Sequence, residues 1–335
     1  MPGGLDEARA SALCKAAQLA VAHGDSVRAL RYAEQALELA GWSGNALKYA
    51  NAAFVRGHCA GRAGQSGVAR HWLMLARTAF HTAGARSRSA GADCLLASID
   101  ASEAPIDSGK GNDQLEEAAL RFDAALAIFR ETNHKPGIAR SLGGTAYVAY
   151  KQGDWELALT ILHDLLRSSW DQGRILISSI EDVADIASRS GQSLLAARLY
   201  GAVDADRRSF GQIVPPAYQR EIEEERAFIR SSLGEKAFLS AFEAGAELSI
   251  ERAMMDALAF AERALVPPPV HLTSREQEIL ALLGEDLTAQ ELADQLFLDR
   301  RTVETHLANL YAKLGAHSRS EAVEAAVDRG LLSSD

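Results

Sequence analysis

Residues 300–314 carry the pattern with the clearest chemical use. At helical spacing Val303, Leu307, Leu310 and Leu314 fall on one stripe, at intervals of four, three and four. The opposite face carries Arg301, Thr305, Ala308 and Ala312, flanked by Glu304 and Asn309. Two alanines, a threonine and short polar groups allow close approach to the edges of DNA bases. Long side chains all along the face would hold the helix away.

Other chemistry fails on inspection. The nine histidines are dispersed, with no His-Glu-x-x-His and no Cys/His pairing at metal spacing. There is no Gly-x-Ser-x-Gly nucleophile turn. A phosphate-cradling loop needs Gly, four residues, then Gly-Lys-Ser/Thr. Gly109-Lys110-Gly111 lacks both the upstream glycine and the hydroxyl residue. The expectation is a protein that is not an enzyme and has no catalytic residue, metal site or cofactor. Cys14, Cys59 and Cys94 are far apart among alanines, and read as reduced, small core residues.

The elements that must hold the 300–314 face are legible from their ends. Thr273 is followed three residues later by Glu276, Thr288 by Glu291 and Ser318 by Glu321. Each pair reads as a capping box, in which hydroxyl and carboxylate satisfy orphan N–H groups at a helix start. Asp299 caps a fourth helix, and Gly315 and Gly330 sit where helices should stop. Four short helices follow. The second covers about 289–296, with Leu292, Ala293 and Leu296 inward, and a turn through Phe297 and Leu298 leads into the third. This is a helix-turn-helix.

The stretches Leu272-Thr-Ser-Arg-Glu-Gln-Glu-Ile-Leu, Leu292-Ala, Arg301-Thr-Val-Glu-Thr-His-Leu-Ala-Asn-Leu-Tyr-Ala-Lys-Leu-Gly and Ser318-Arg-Ser-Glu-Ala-Val resemble the LuxR-type helix-turn-helix over about 60 residues. The resemblance implies that the third helix enters the major groove of double-stranded DNA. It implies groove-facing roles for Glu304, Thr305 and Ala308, with Asn309 beside them. Glu304 would accept from a cytosine amine and the Thr305 methyl would touch thymine. Arg300, Arg301, Thr302, Lys313 and Arg319 would contact phosphates, which position the protein without specifying sequence. The fourth helix, about 319–329 with Ala322, Val323 and Ala326, either supports a homodimer on DNA or only closes the small core. Two departures from the family weigh on affinity: Lys or Arg is common on the reading face, and Ser is common where Asp299 stands. Charge points the same way. From 270 onward six basic residues face twelve acidic ones, a net of −6, and the whole chain carries −10.

Residues 5–265 read as helix after helix. Alignment of the Gly turns exposes a repeat. Gly24 is followed by Ala29 and Ala36, Gly64 by Ala69 and Ala76, Gly153 by Ala158 and Leu165, and Gly191 by Ala196 and Val203. Ala118 and Ala125 take the same two positions in a helix from Leu115 to Phe129. Glycine tolerates the left-handed cap, and the small residue five positions on lets two helices cross closely. The pattern resembles tetratricopeptide repeats, whose hairpins stack into a solenoid. Breaks are expected at the polar loop 100–113, at 211–217, and at Pro267-Pro268-Pro269, which reads as a stiff spacer. Tyr147, Tyr150 and Trp155 are candidate groove-lining residues, although core packing suits them better.

The run Leu194-Leu-Ala-Ala-Arg-Leu-Tyr-Gly-Ala, with Pro215-Pro-Ala-Tyr, Leu233-Gly-Glu-Lys-Ala-Phe and Leu248-Ser-Ile-Glu-Arg-Ala, resembles the region preceding the helix-turn-helix in large ATP-binding, maltose-regulator-like members of the LuxR family. The nucleotide-binding domain of those proteins is not seen, so the chain reads as a short member or a fragment.

Taken together, these features predict an all-α protein. A tetratricopeptide-like solenoid covers 5–265, a proline linker 266–270 and a four-helix DNA-binding domain 271–335. A composition of 47% apolar and 24% charged residues is ordinary for a soluble protein. No signal peptide or membrane span is apparent, and a cytoplasmic location is expected. The function expected is sequence-specific transcriptional regulation. The solenoid would bind RNA polymerase, another protein or a small-molecule effector. The alternative is a solenoid adaptor whose helix-turn-helix binds DNA weakly or not at all.

Overall fold

The computed structural model describes residues 3–42, 44–105, 112–168, 173–214, 216–265, 272–285 and 287–332, and among these all regular structure is helical. The chain divides into two compact units, Met1–Leu265 and Val266–Asp335. The proline run 267–269, Pro215 and the Gly109-Lys110-Gly111 segment lie outside the described residues. None of the described helices is long and apolar enough to cross a membrane.

The first unit begins as a series of helical hairpins: α1 (Gly3–Ala22), α2 (Ser26–Trp42), α3 (Ala46–Arg62), α4 (Ser66–Thr82), α5 (Arg86–Glu103), α6 (Asp113–Glu131), α7 (Lys135–Lys151), α8 (Trp155–Ser168), α9 (Gly173–Arg189) and α10 (Ser193–Ser209). Each helix packs on the next in the chain. The odd-numbered helices α1, α3, α5, α7 and α9 also pack on one another in order. Odd helices therefore share one face of the stack.

Gly24, Gly64, Gly153 and Gly191 all have positive φ, between 75° and 82°. Gly44 and Gly84, midway in the spacing, do the same at 68°. The interval of about 40 residues is therefore two helices long, and each of these six glycines is a left-handed turn residue. Ala29, Ala36, Ala69, Ala76, Ala118, Ala125, Ala158, Leu165, Ala196 and Val203 are all buried. Small residues at these seams bring helix axes together, and the close contact recovers dispersion energy that no single hairpin can gain.

The expected 100–113 loop starts later than its polarity suggests, because α5 continues to Glu103. Arg70 bonds both Asp100 and Glu103, and Arg121 adds a second cation beside Asp100. These pairs convert polar loop candidates into a final helical turn.

Beyond α10 the regular order changes. The remaining helices of the unit are α11 (Pro216–Leu233), α12 (Glu235–Ala246) and α13 (Ile250–Leu265). Helix α13 packs on α8, α9 and α10, and α12 crosses α10. That crossing is backbone to backbone: a Cβ on Gly201 would lie 2.0 Å from the Phe242 carbonyl oxygen, and one on Gly245 would lie 2.0 Å from that of Arg198. Only glycine fits both positions.

Helix α11 contacts α3 and α9 as well as its neighbours α10 and α12. Tyr147 donates to Glu221 Oε1 at 2.6 Å and Tyr150 to Glu225 Oε1 at 3.2 Å. Lys151 is buried, donates to the Ala104 carbonyl at 3.1 Å and lies 3.1 Å from Glu221. The two tyrosine hydroxyls are thus committed to α11, and Trp155 is half-buried against the same core. Core packing, rather than an open groove, is the setting of all three aromatics.

Cys59 and Cys94 are buried and Cys14 is half-buried, all as free thiols. Burial pushes Cys14 up to about 11 and Cys59 to about 12, which keeps both neutral and unreactive.

Candidate nucleic-acid interface

The second unit contains α14 (Ser274–Leu282), a 3-10 turn (Leu283–Glu285), α15 (Ala289–Leu296), α16 (Arg300–Leu314) and α17 (Arg319–Asp328). Capping fixes where each helix starts. The capping boxes Thr273/Glu276 and Thr288/Glu291 are complete, with each carboxylate accepting the N-cap N–H at 2.7 and 2.8 Å. At α17 the expected box is only half formed. Ser318 accepts from Glu321 N–H, but the Glu321 carboxylate accepts from His317 N–H instead of Ser318. These backbone bonds hold the carboxyl groups of Glu291 and Glu321 below the usual carboxylate range.

The turn between α15 and α16 rests on Phe297, which has φ 54° and ψ 44° and is 95% exposed. A left-handed residue with a Cβ costs about 1–2 kcal/mol. The turn is nonetheless tied down, because Leu298 N–H donates to the Ala293 carbonyl at 2.9 Å. Asp299 then caps α16, accepting from the Thr302 N–H at 2.9 Å and the Thr302 hydroxyl at 2.5 Å. Both bonds hold the Asp299 carboxyl low, the hydroxyl bond contributing most.

Val303, Leu310 and Leu314 are buried and Leu307 half-buried, so α16 is anchored by the stripe read from its spacing. One core joins Leu310 and Leu314 to Ile279, Leu280, Ala322 and Ala326, with Val323 partly buried against it. The α17 residues Ala322 and Ala326 therefore close the core of this unit.

The candidate site residues divide into two groups. Arg300, Arg301, Glu304, Thr305, Ala308 and Asn309 are exposed on α16, and Thr302 is half-buried at its start. Arg300 Nε donates to Glu304 Oε1 at 2.8 Å along the helix. The Thr305 hydroxyl donates to the Arg301 carbonyl at 2.9 Å, which satisfies it within the helix. Lys313 and Arg319 have partners inside the fold. Lys313 Nζ donates to Glu276 Oε2 at 2.6 Å. Arg319 spans three carbonyls, with Leu283 at 2.8 Å, Leu287 at 2.5 Å and Leu282 at 3.5 Å.

These two cross-links were not legible in the sequence. Lys313 lies in the last turn of α16 and Arg319 opens α17, and in each case the partner is more than thirty positions away. Arg329 repeats the theme, donating to the Lys313 carbonyl at 3.3 Å.

Residues 270–326 match the family model described as bacterial regulatory proteins, luxR family. The spore germination protein GerE of Bacillus subtilis is 46% identical over 52 residues, which are 16% of this chain and 70% of that protein. The uncharacterized response regulatory protein YgeK of Escherichia coli is 45% identical over 60 residues, 18% of this chain and 41% of that protein. A Mycobacterium tuberculosis protein bearing the name of an HTH-type transcriptional regulator is 31% identical over 195 residues, 55% of this chain. This chain spans 21% of the length of that relative. By its match to this family model and to GerE over 70% of that protein's length, the chain belongs to the luxR family of bacterial regulatory proteins.

Proposed function

We propose that the chain is a sequence-specific DNA-binding transcriptional regulator whose α16 lies in the major groove and whose helical unit, a tetratricopeptide-like solenoid, receives an effector or a protein partner. The observation that carries the reading is the outer face of α16. It is exposed, built of small and short side chains, and held on a helix anchored by a buried stripe. Because the Thr305 hydroxyl is satisfied by its own helix, its methyl is the group turned to a base, which suits a thymine methyl. Arg300, Arg301 and Thr302 at the helix start suit phosphate contact, and Glu304, Ala308 and Asn309 suit base edges. Binding as a homodimer on an inverted repeat, inside the cytoplasm, completes the reading. Half-buried Val323 and Val327 on α17 are its contact candidates, and RNA polymerase is a further partner.

The test is selection of bound genomic fragments by the full chain, with Thr305→Arg alongside. Recovery of an inverted repeat whose recognition Thr305→Arg abolishes or alters is the expected result. The acidic balance of the C-terminal segment favours a second reading, an adaptor with little DNA affinity. No enriched fragment, and no fall in binding as salt rises, would select that reading, since phosphate contacts release counterions and must show a salt slope.

A further inference from the structure

In a stack of hairpins the odd helices run in the same direction. The first turns of α3, α5 and α7 therefore arrive at one edge of their shared face. Between those turns and the middle of α1 lies a cavity of about 550 Å³, within the roughly 300–1,000 Å³ range of small-ligand sites. Each of the four helices contributes one cation to its wall: Lys15, Lys48, Arg88 and Arg140. No aspartate or glutamate lines it, although the chain carries 45 acidic residues against 35 basic ones.

Among the described residues none of these four cations has a carboxylate partner. Asp93 pairs with Arg77, Glu131 with Arg86 and Glu34 with Arg56, and the Glu7 carboxylate accepts from Asn45 at 3.4 Å. Lys48 donates to Ser11 Oγ at 3.2 Å, a neutral group that positions the ammonium without discharging it. Three phenylalanines, Phe54, Phe80 and Phe129, share the wall with small and neutral polar residues such as Ser11, Gln18 and Asn51. Phe54 and Phe80 have ring centroids 6.2 Å apart, and the Arg88 guanidinium lies 6.0 Å from the Phe80 centroid. Gly137 is what admits Phe129 to the wall, since a Cβ there would lie 2.4 Å from the ring.

Two further observations fit a positive field here. His58 is pushed down to about 3 chiefly by burial, and the Arg140 and Arg62 charges add to that in the same direction. The N-terminal partial charges of α3, α5 and α7 add to the side-chain cations. Cations without carboxylate partners beside aromatic surface offer an organic anion charge-assisted hydrogen bonds and an apolar face together.

We infer that this cavity binds a small organic anion, its carboxylate or phosphate group held by Lys15, Lys48, Arg88 and Arg140 and its apolar part laid on the partly exposed Phe54. That such a ligand acts as an effector rests on the regulator reading above; that it binds does not, so the test is made without DNA.

The probes are 8-anilinonaphthalene-1-sulfonate, which is anionic and aromatic, and its neutral analogue N-phenyl-1-naphthylamine, titrated into the full chain by fluorescence. The expected result is saturable one-to-one binding of the sulfonate, displaced by phenyl phosphate and weakened as salt rises. Arg88→Gln with Arg140→Gln should weaken it by about tenfold or more, given the worth of hydrogen bonds to charged groups. Both arginines are exposed, so circular dichroism of the double variant should match the parent. The neutral analogue should be indifferent to both changes. Equal binding of the two dyes, or sulfonate binding unchanged by the double variant, would overturn the inference. Displacement by a short polyglutamate peptide but not by phenyl phosphate would also overturn it, in favour of a peptide groove.

Discussion

Lys313 Nζ stands 2.6 Å from Glu276 Oε2, a bond that joins the last turn of α16 to the first turn of α14. Each charge suits its own helix end, a cation at a C-terminus and an anion at an N-terminus. Glu276 is only 3% exposed, and the Lys313 bond, followed by the Thr273 N–H, holds its carboxyl below the usual range. Lys313→Met is expected to destabilise the second unit by about 1–2 kcal/mol, less than a fully buried pair because water screens a partly exposed ammonium. Calorimetry of the full chain measures this. DNA affinity taken well below the melting temperature should keep its salt slope. A slope shallower by about one would instead make Lys313 a phosphate contact.

Arg319 is a second internal fastener. Its guanidinium reaches the carbonyls of Leu282, Leu283 and Leu287, which surround the 3-10 turn between α14 and α15. Only a planar fork reaches all three. Arg319→Lys keeps the charge and loses the geometry, and is expected to cost about 2 kcal/mol. Hydrogen exchange on the full chain should show faster exchange in the α14 and α17 amides, with the 3–265 amides unchanged. Parent-like protection in Arg319→Lys would refute the fastening role.

The helix ends and seams were legible because they are decided locally. Thr273, Thr288 and Asp299 cap by hydroxyl or carboxylate reach within three residues, and a Gly turn needs only its own φ. The α16 stripe was legible for the same reason, since period alone separates Val303, Leu310 and Leu314 from Thr305 and Ala308. What was not legible is decided between distant segments. Nothing near Lys313 in sequence announces Glu276, and nothing near Tyr147 announces Glu221, 74 positions away. The left-handed Phe297 was also hidden, because its type argues against the conformation that the αL cap of α15 imposes. The cavity draws its four cations one from each of four helices, so no stretch of sequence contains its pattern. One long-range signal is present in the sequence: acids at Glu181, Asp182 and Asp185 interleaved with Ile180, Val183, Ala184, Ile186 and Ala187 imply buried charge.

That buried charge carries a pH prediction. Asp182 on α9 has its carboxyl raised well above the ordinary range, first by burial and then by Glu181 beside it and Glu221 on α11. Tyr147 on α7 also feels its charge. The folded state therefore favours the protonated acid. The stability this gives is full below the unfolded value of about 3.9 and is lost as pH rises through the raised folded value. Above that value the ionised Asp182 is a net cost. Asp182→Asn is expected to raise the melting temperature of the first unit at pH 8, by about 2–4 °C for a unit of this size. The advantage should shrink as the pH is lowered. A loss of stability at every pH would show that the carboxylate makes a favourable interaction that asparagine cannot replace.

On the outer face of α16, Arg300 and Glu304 form an exposed i,i+4 pair that neutralises the helix where DNA would meet it. Such a pair contributes at most about 0.5 kcal/mol to folding, so Glu304→Ala should leave the melting temperature nearly unchanged. Its effect on DNA should be larger. A carboxylate near phosphates is repelled, and its removal both lifts that repulsion and frees the Arg300 guanidinium. Affinity for a random duplex should rise, and the plot of log affinity against log salt should steepen by about one phosphate equivalent. Fluorescence anisotropy over a salt series, on a random duplex and on a selected fragment, separates two outcomes. If Glu304 reads a cytosine amine, the selected fragment gains less than the random duplex and specificity falls. If both duplexes gain equally, Glu304 tempers affinity without reading sequence, and base discrimination on α16 rests with Thr305, Ala308 and Asn309.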